Sequence, residues 1–340
     1  MEFVFVKFLV CASVIFYFGK RVARYGDAIA EKTGLGGLWI GVILVSIATS
    51  LPELFTGVGS TLFVDAPDLT VGNIFGANSY NLFNIATLDL LHKGGPLLSS
   101  VSSGQLLTAA FSLIPLSIAA MGIFLTPKLA NTSIFNLSVF SIMIFLSYII
   151  CTKTIYNFEK RRKIIKELRE EEEVVLKYDD ITLRTACIRY AFSAFAIAAA
   201  GIWLAYIGDD LAAALNLGRN FIGSLFLGFA TTLPEITVSI AALRLGAKEM
   251  AVANMVGSNL FNVTIIFIND ILYRKAPIFE MLSQQHIFNV FLVIAMTAII
   301  MAGMVIKPKD KTRMGLSNYA IWLVVVFVVG AYINFILGGK

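Results

Sequence analysis

Histidine occurs twice and cysteine three times in this 340-residue chain, and charged residues make up only 14% of it. Each shortage excludes something. Cys11, Cys151 and Cys187 all fall in or beside apolar runs without paired ligand spacing, so neither a disulfide framework nor a zinc site is indicated. His92 and His286 stand near the ends of apolar stretches, outside any Gly-x-Ser-x-Gly setting, so a nucleophile with a positioned base is missing. The chain is therefore read as a non-enzyme with no resident cofactor. Its net charge of +5 does not point to nucleic acid, because the basic residues lie between apolar runs, where membrane orientation accounts for them.

What the chain has in abundance is apolar sequence. Hydrophobic residues reach 58%, against roughly 45–50% in soluble domains. Stretches of bilayer-crossing length, about 17–25 residues, fall at 3–30, 36–63, 69–91, 102–124, 132–152, 186–213, 219–243, 248–273, 284–306 and 317–338. The expected fold is an all-α polytopic membrane protein of ten transmembrane helices, with the lipid bilayer as its surroundings and no obligatory protein partner. The opening segment, Met1 to Tyr17, is as apolar as a signal peptide but has no basic leader, and is read as the first span. With the amino terminus outside, the cytoplasmic connections collect 20 of the 27 basic residues, nine of them between Lys153 and Arg184. The positive-inside rule then predicts a multi-pass protein of the cell membrane with both termini extracytoplasmic and residues 153–185 cytoplasmic.

The chain repeats itself. Adding 182 to Gly26, Asp27, Gly36, Gly41, Ala48, Thr49, Leu51, Pro52 and Glu53 lands on the same residue types at Gly208, Asp209, Gly218, Gly223, Ala230, Thr231, Leu233, Pro234 and Glu235. Farther on the offset becomes 181, matching Asn73, Gly76, Asn78, Asn81 and Asp89 to Asn254, Gly257, Asn259, Asn262 and Asp270. Two five-helix repeats are expected, residues 1–152 and 186–340, joined by the linker 153–185. Five spans is an odd number, so the second repeat enters the membrane from the opposite side, and such inverted repeats bind substrate near the midplane.

Glu53 and Glu235 are the centre of that repeat. A carboxylate near the bilayer midplane costs on the order of 2.5–3.5 kcal/mol even on a lenient scale, so two in matching settings call for a cation or protons. Ser50, Thr49 and Ser46 precede Glu53 by three, four and seven residues and share its helix face. Pro52 and Pro234 cannot donate to the carbonyls of Ala48 and Ala230, which puts backbone oxygen at the level of the carboxylates. Asn73, Ala77 and Asn81, like Asn254, Ser258 and Asn262, follow i, i+4, i+8 spacing and offer neutral amide oxygen. Gly72, Gly76 and Gly257 permit close helix approach. Carboxylate, hydroxyl and carbonyl oxygen are hard ligands suited to calcium, and sodium uses the same kind of cage. Asn73, Asn78, Asn254 and Asn259 serve equally well as hydrogen-bonding glue between helices. Asp27, Asp209, Asp89 and Asp270, near span ends, are expected to cap or be solvated.

These blocks, Thr49-Ser-Leu-Pro-Glu53 with Gly72-Asn-Ile-Phe-Gly-Ala-Asn-Ser-Tyr-Asn81, and Thr231-Thr-Leu-Pro-Glu235 with Asn254-Met-Val-Gly-Ser-Asn-Leu-Phe-Asn262, resemble the two alpha motifs of the cation/calcium exchanger (CaCA) superfamily, and within it the prokaryotic sodium/calcium exchanger branch. The motifs fall within 36–91 and 219–273. The resemblance implies a secondary-active antiporter exchanging a divalent cation, calcium, for sodium by alternating access. It implies that Glu53, Glu235, Thr49 and Thr231 bind the divalent ion. Ser50, Thr232, Ser258 and backbone carbonyls near Ser46 and Gly228 would help hold sodium, with Asn81 and Asn262 at the centre. Two positions depart from the family pattern: Ala77 lacks a hydroxyl, and Asn262 stands where these exchangers usually carry Asp. Two carboxylates then remain, enough for one divalent or two monovalent cations, and proton coupling is the main competitor to sodium. A cation channel is the rival of a different class, but duplicated inverted halves suit alternating access better. The linker run Glu170 to Glu173 is read as solvated rather than regulatory.

Overall fold

A computed structural model describes residues 2–32, 46–129, 133–167 and 181–338. The helices are α1 (Glu2–Lys32), α2 (Leu51–Leu62), α3 (Pro67–Leu91), α4 (Ser103–Leu125), α5 (Val139–Glu167), α6 (Leu183–Leu215), α7 (Arg219–Thr231), α8 (Leu233–Arg244), α9 (Lys248–Leu272), α10 (His286–Ile306) and α11 (Asn318–Gly338). A helical turn at residues 46–49 precedes α2. Residues 33–45, where the expected second span and the first motif begin, and 168–180, which hold the acidic run Glu170 to Glu173, lie outside the described residues.

Among the described residues, seven helices are long and apolar enough to cross a membrane, and α7 with α8 makes an eighth if that bent pair is one span. Of the ten expected spans, the second begins outside the described residues and the third, α3, falls below this apolar level. α3 has the length at 25 residues but mixes its apolar residues with four asparagines, Asp68 and Asp89. Three further boundaries differ from expectation. The fifth span does not begin at 132, because Ser133–Ile134 and Leu137–Ser138 pair as a small antiparallel hairpin, with Phe135 and Asn136 at φ 50° and 65° making the tight turn. Its helix then runs on to Glu167, so the first part of the expected linker is helical. The seventh span is not straight: α7 and α8 are bent by 40° at Thr232.

Both expected breaks have one cause. Ser50 (φ −86°, ψ 8°) and Thr232 (φ −82°, ψ 0°) leave helical geometry just before the prolines at the starts of α2 and α8. A proline tolerates the first turn of a helix but removes a donor from any turn before it, so the chain stops at the preceding residue and restarts. Glu53 and Glu235 therefore sit in the first turns of their half-helices, where the positive end of the helix dipole favours a carboxylate.

α3 and α9 form the middle of the molecule and are buried on nearly every side. The largest apolar cluster surrounds them, with Phe75, Leu82, Ile85 and Leu88 of α3 packed with Ile265 and Ile266 of α9, Leu116 of α4 and Val293 of α10. α1 lies along α6, and α6 along α2. Glycine lets α3 approach α7: a Cβ on Gly76 would stand 2.2 Å from the Ser224 carbonyl oxygen, and one on Gly72 would stand 2.7 Å from that of Asn220. The same stretch of α7, Gly223–Leu227, is wound as a π-helix.

Candidate cation site

Four broken or buried helices bring their polar residues to one place. Glu53 and Glu235 are both fully buried, and so are Thr49, Ser50, Thr231, Asn73, Asn81, Ser258 and Asn262, while Ser46, Thr232 and Asn254 are 2% exposed. Gly228 is buried as well. All thirteen residues expected at the site are therefore shielded from the surroundings.

The halves are tied together by reciprocal bonds. Asn78 Nδ2 donates to the Asn259 carbonyl (3.3 Å), and Asn259 Nδ2 donates to the Asn78 carbonyl (3.1 Å). Asn81 Nδ2 donates to Asn259 Oδ1 (3.0 Å), and Asn262 Nδ2 to Asn78 Oδ1 (3.1 Å). Asn78 and Asn259 thus act as glue rather than as ligands. Their further effect is to hold Asn81 and Asn262 by the nitrogen, which leaves Oδ1 of each buried and without a donor.

A second ring follows the same exchange. Thr231 Oγ1 donates to Asn73 Oδ1 (3.1 Å) and Thr49 Oγ1 to Asn254 Oδ1 (3.4 Å). Asn254 Nδ2 reaches the Glu235 carbonyl (3.3 Å) and Ser239 Oγ (3.1 Å), so its amide is used at both ends. Asn73 and Asn254 consequently position the threonines. The Ser46 carbonyl accepts from Ser50 N (3.0 Å) and competes with Asn254 for the Thr49 hydroxyl proton (3.2 Å), and the Gly228 carbonyl accepts from Thr232 Oγ1 (2.9 Å). The two hydroxyls beside the prolines part company here. Ser50 Oγ donates to Glu235 Oε1 at 3.2 Å, whereas Thr232 turns back onto its own helix.

What remains is a set of acceptors with nothing to accept from. Both oxygens of Glu53, Oε2 of Glu235 and Oδ1 of Asn81 and Asn262 are buried and unpartnered, as are the hydroxyls of Ser46 and Ser258. An unsatisfied buried polar group costs about 1–3 kcal/mol, and more when charged. Five carboxylate and amide oxygens with no donor are what a hard cation replaces with coordination bonds. No cluster of three or more His, Cys, Asp or Glu residues occurs among the described residues, so the two glutamates carry the site's negative charge.

Of the two roles expected for Asp89 and Asp270, capping or solvation, the structure shows capping: both are essentially unexposed. Asp89 accepts from Leu97 N (2.8 Å), Ser317 N (2.8 Å), Ser317 Oγ (2.9 Å) and the Tyr319 hydroxyl. Asp270 accepts from Ile278 N (2.7 Å), Ser138 N (2.8 Å) and the Ser141 hydroxyl. Each carboxylate thus caps the last helix of the opposite half, a role that spacing within one half does not reveal. Asp209 behaves as an exposed partner of Arg219 (2.6 Å), and the side chain of Asp27 lies outside what is described. His286, expected only to lie near a span end, is fully buried and meets Asp68 Oδ1 at 2.9 Å.

Comparison with known proteins agrees with the geometry. The chain is 23% identical over 320 residues to the Escherichia coli inner membrane protein YrbG, covering 92% of this chain and 94% of that one. It is 24% identical over 339 residues to the sodium/calcium exchanger MaX1 of Methanosarcina acetivorans, covering 90% and 93%. In fold it resembles the crystal structure of the H+/Ca2+ exchanger CAX (TM-score 0.69, 14% identity, 98% of this chain and 86% of that one) and the sodium-calcium exchanger NCX_Mj (TM-score 0.61, 17% identity, 98% and 99%). Residues 3–158 and 186–267 match the sodium/calcium exchanger protein family, and this integral membrane protein belongs to that family.

Proposed function

We propose that the protein is an antiporter that exchanges calcium for sodium by alternating access, with Glu53 and Glu235 as the charged ligands of both ions. The observation that carries this reading is the set of unpartnered oxygens on Glu53, Glu235, Asn81 and Asn262. Their two negative charges match one divalent cation on one stroke and two monovalent ions on the return. Thr49, Thr231, Ser50, Thr232 and Ser258 contribute hydroxyls around this centre, with the turn carbonyls at Ser46 and Gly228 beside them. Asn73 and Asn254 hold the threonines in place. Catalysis and a resident cofactor form no part of this reading. The sodium coupling of the MaX1 relative supports it.

A second reading has its own support. Two carboxylates suffice to take up two protons when the divalent ion leaves, and the fold is shared with an H+/Ca2+ exchanger. Calcium uptake into proteoliposomes with imposed sodium, potassium or proton gradients separates the two. Uptake driven by a sodium gradient and indifferent to pH supports the first reading, and uptake that needs only a proton gradient replaces it with the second. Flux without any counter-ion would indicate a channel. Magnesium and manganese, tested in the same assay, report whether the cage selects calcium. The distribution of basic residues supports a cell-membrane orientation with both termini outside and the 153–185 connection inside.

A further inference from the structure

Beyond Glu53, α2 carries two hydroxyls that the site does not use. Thr56 and Ser60 lie three and seven residues after the glutamate, on its face of the helix, and both are 0% exposed. Buried hydroxyls in membrane helices ordinarily bond back to their own backbone. Ser79, Ser112 and Thr297 all do so, at 2.7–2.9 Å. Thr56 Oγ1 and Ser60 Oγ have no partner at all. At the far end of α2, Thr61 donates to Asn269 Oδ1 (2.8 Å), and Thr70 of α3 donates to the Gly57 carbonyl (3.2 Å), which extends polar atoms toward the turn after Leu62.

The other half lacks this series. The equivalents of Thr56 and Ser60 are Val238 and Ala242, and the hydroxyl that α8 does bury, on Ser239, is bonded to Asn254. The opposite flank of α2 is closed by backbone, since a Cβ on Gly201 of α6 would lie 2.9 Å from Thr56 N. Any opening along Glu53, Thr56 and Ser60 must therefore be toward α3 and α9.

We propose that Thr56 and Ser60 line a one-sided access track through which a partly dehydrated metal cation passes between Glu53 and the membrane face carrying the 63–66 turn, shut in this conformation and without a hydroxyl-lined counterpart along α8. The proposal rests on the cation-transport reading of the Glu53 site. Each hydroxyl replaces a water of the ion's shell in passing, which is why neither is committed to a backbone carbonyl. Passage to the opposite face uses a different set of groups.

The test is cysteine accessibility in full-length protein whose three native cysteines are replaced by serine or alanine. Thr56→Cys, Ser60→Cys, Val238→Cys and Ala242→Cys are each exposed to a membrane-impermeant thiosulfonate from either face, with and without calcium. The expected result is labelling of the first two from the 63–66 face, slowed by calcium, and no labelling of the last two from either face. Equal labelling of all four, no labelling of Thr56→Cys and Ser60→Cys, or labelling that calcium leaves unchanged overturns the proposal. Thr56→Val and Ser60→Ala should also slow uptake roughly tenfold from that face, the worth of one lost polar contact. Because labelling needs no turnover, asymmetric labelling of the cysteine variants beside a wild-type protein that moves no calcium refutes the exchange reading and leaves the track standing.

Discussion

Asn78 and Asn259 each donate a side-chain hydrogen bond to the other's backbone carbonyl, at 3.3 and 3.1 Å. The same two side chains accept from Asn262 and Asn81, so four amides from α3 and α9 form one closed network. Asn78→Ala should leave the Asn262 amide nitrogen without its acceptor and Asn259 without one of its restraints. At about 1–3 kcal/mol for a stranded buried group, a marked fall in thermal stability in detergent is expected, together with weaker calcium binding as the Asn262 oxygen loses its fixed direction. A variant as stable and as tightly binding as the wild type would show that the network is incidental.

Glu53→Gln and Glu235→Gln are each expected to abolish divalent transport while leaving insertion and folding intact. The amide keeps the shape of the side chain and removes the charge, and the buried oxygens it inherits are not engaged by the protein except for Glu235 Oε1. Size-exclusion profiles and flux measured on the same preparation decide the matter. Robust exchange by either mutant refutes the assigned site.

Asp270 holds two backbone nitrogens and a hydroxyl of other elements, and is buried. Asp270→Ala strands those donors, so the loss of stability should be among the largest of any single substitution, at several kcal/mol for a carboxylate-centred network. Asp89→Ala should behave alike, because it strands the equivalent donors. Neither carboxylate faces the cation, so whatever protein survives should retain ordinary calcium affinity. A large drop in affinity with unchanged stability would place these residues in the wrong role.

Exchange is expected to be nearly electroneutral. Only Glu53 and Glu235 are available to balance the transported charge among the described residues. One net charge moved per cycle would couple transport to voltage at about 2.3 kcal/mol per 100 mV, and little such coupling should appear when the liposome potential is clamped with potassium and valinomycin. Asn262→Asp adds a third carboxylate beside an oxygen that already lacks a donor, and should make transport voltage-dependent or strengthen sodium coupling. A strong voltage response in the wild type overturns the two-carboxylate argument.

The apolar runs and repeats of the chain determined its class and marked the candidate site, because membrane burial is a local matter. An apolar run of bilayer length, a glutamate inside it and a proline beside the glutamate each have a consequence that requires no knowledge of neighbours. The duplication of Glu53 as Glu235 then marks one site built from two halves. What the tertiary structure alone decided is which polar groups are already spent. The spacing leaves Asn78 open between glue and ion contact, and only its bonds to Asn259, 181 residues away, make it a cross-link, while Asn81, held by its nitrogen, keeps a free oxygen. For Asp89 and Asp270 the sequence leaves capping and solvation equal, and the backbone donors that the opposite half brings to them decide for capping. Thr56 and Ser60 look like ordinary helix hydroxyls in the sequence, and their lack of any partner is visible only in the folded chain. Hydrogen-bond satisfaction is a property of the whole assembly, so no reading of one segment at a time recovers it.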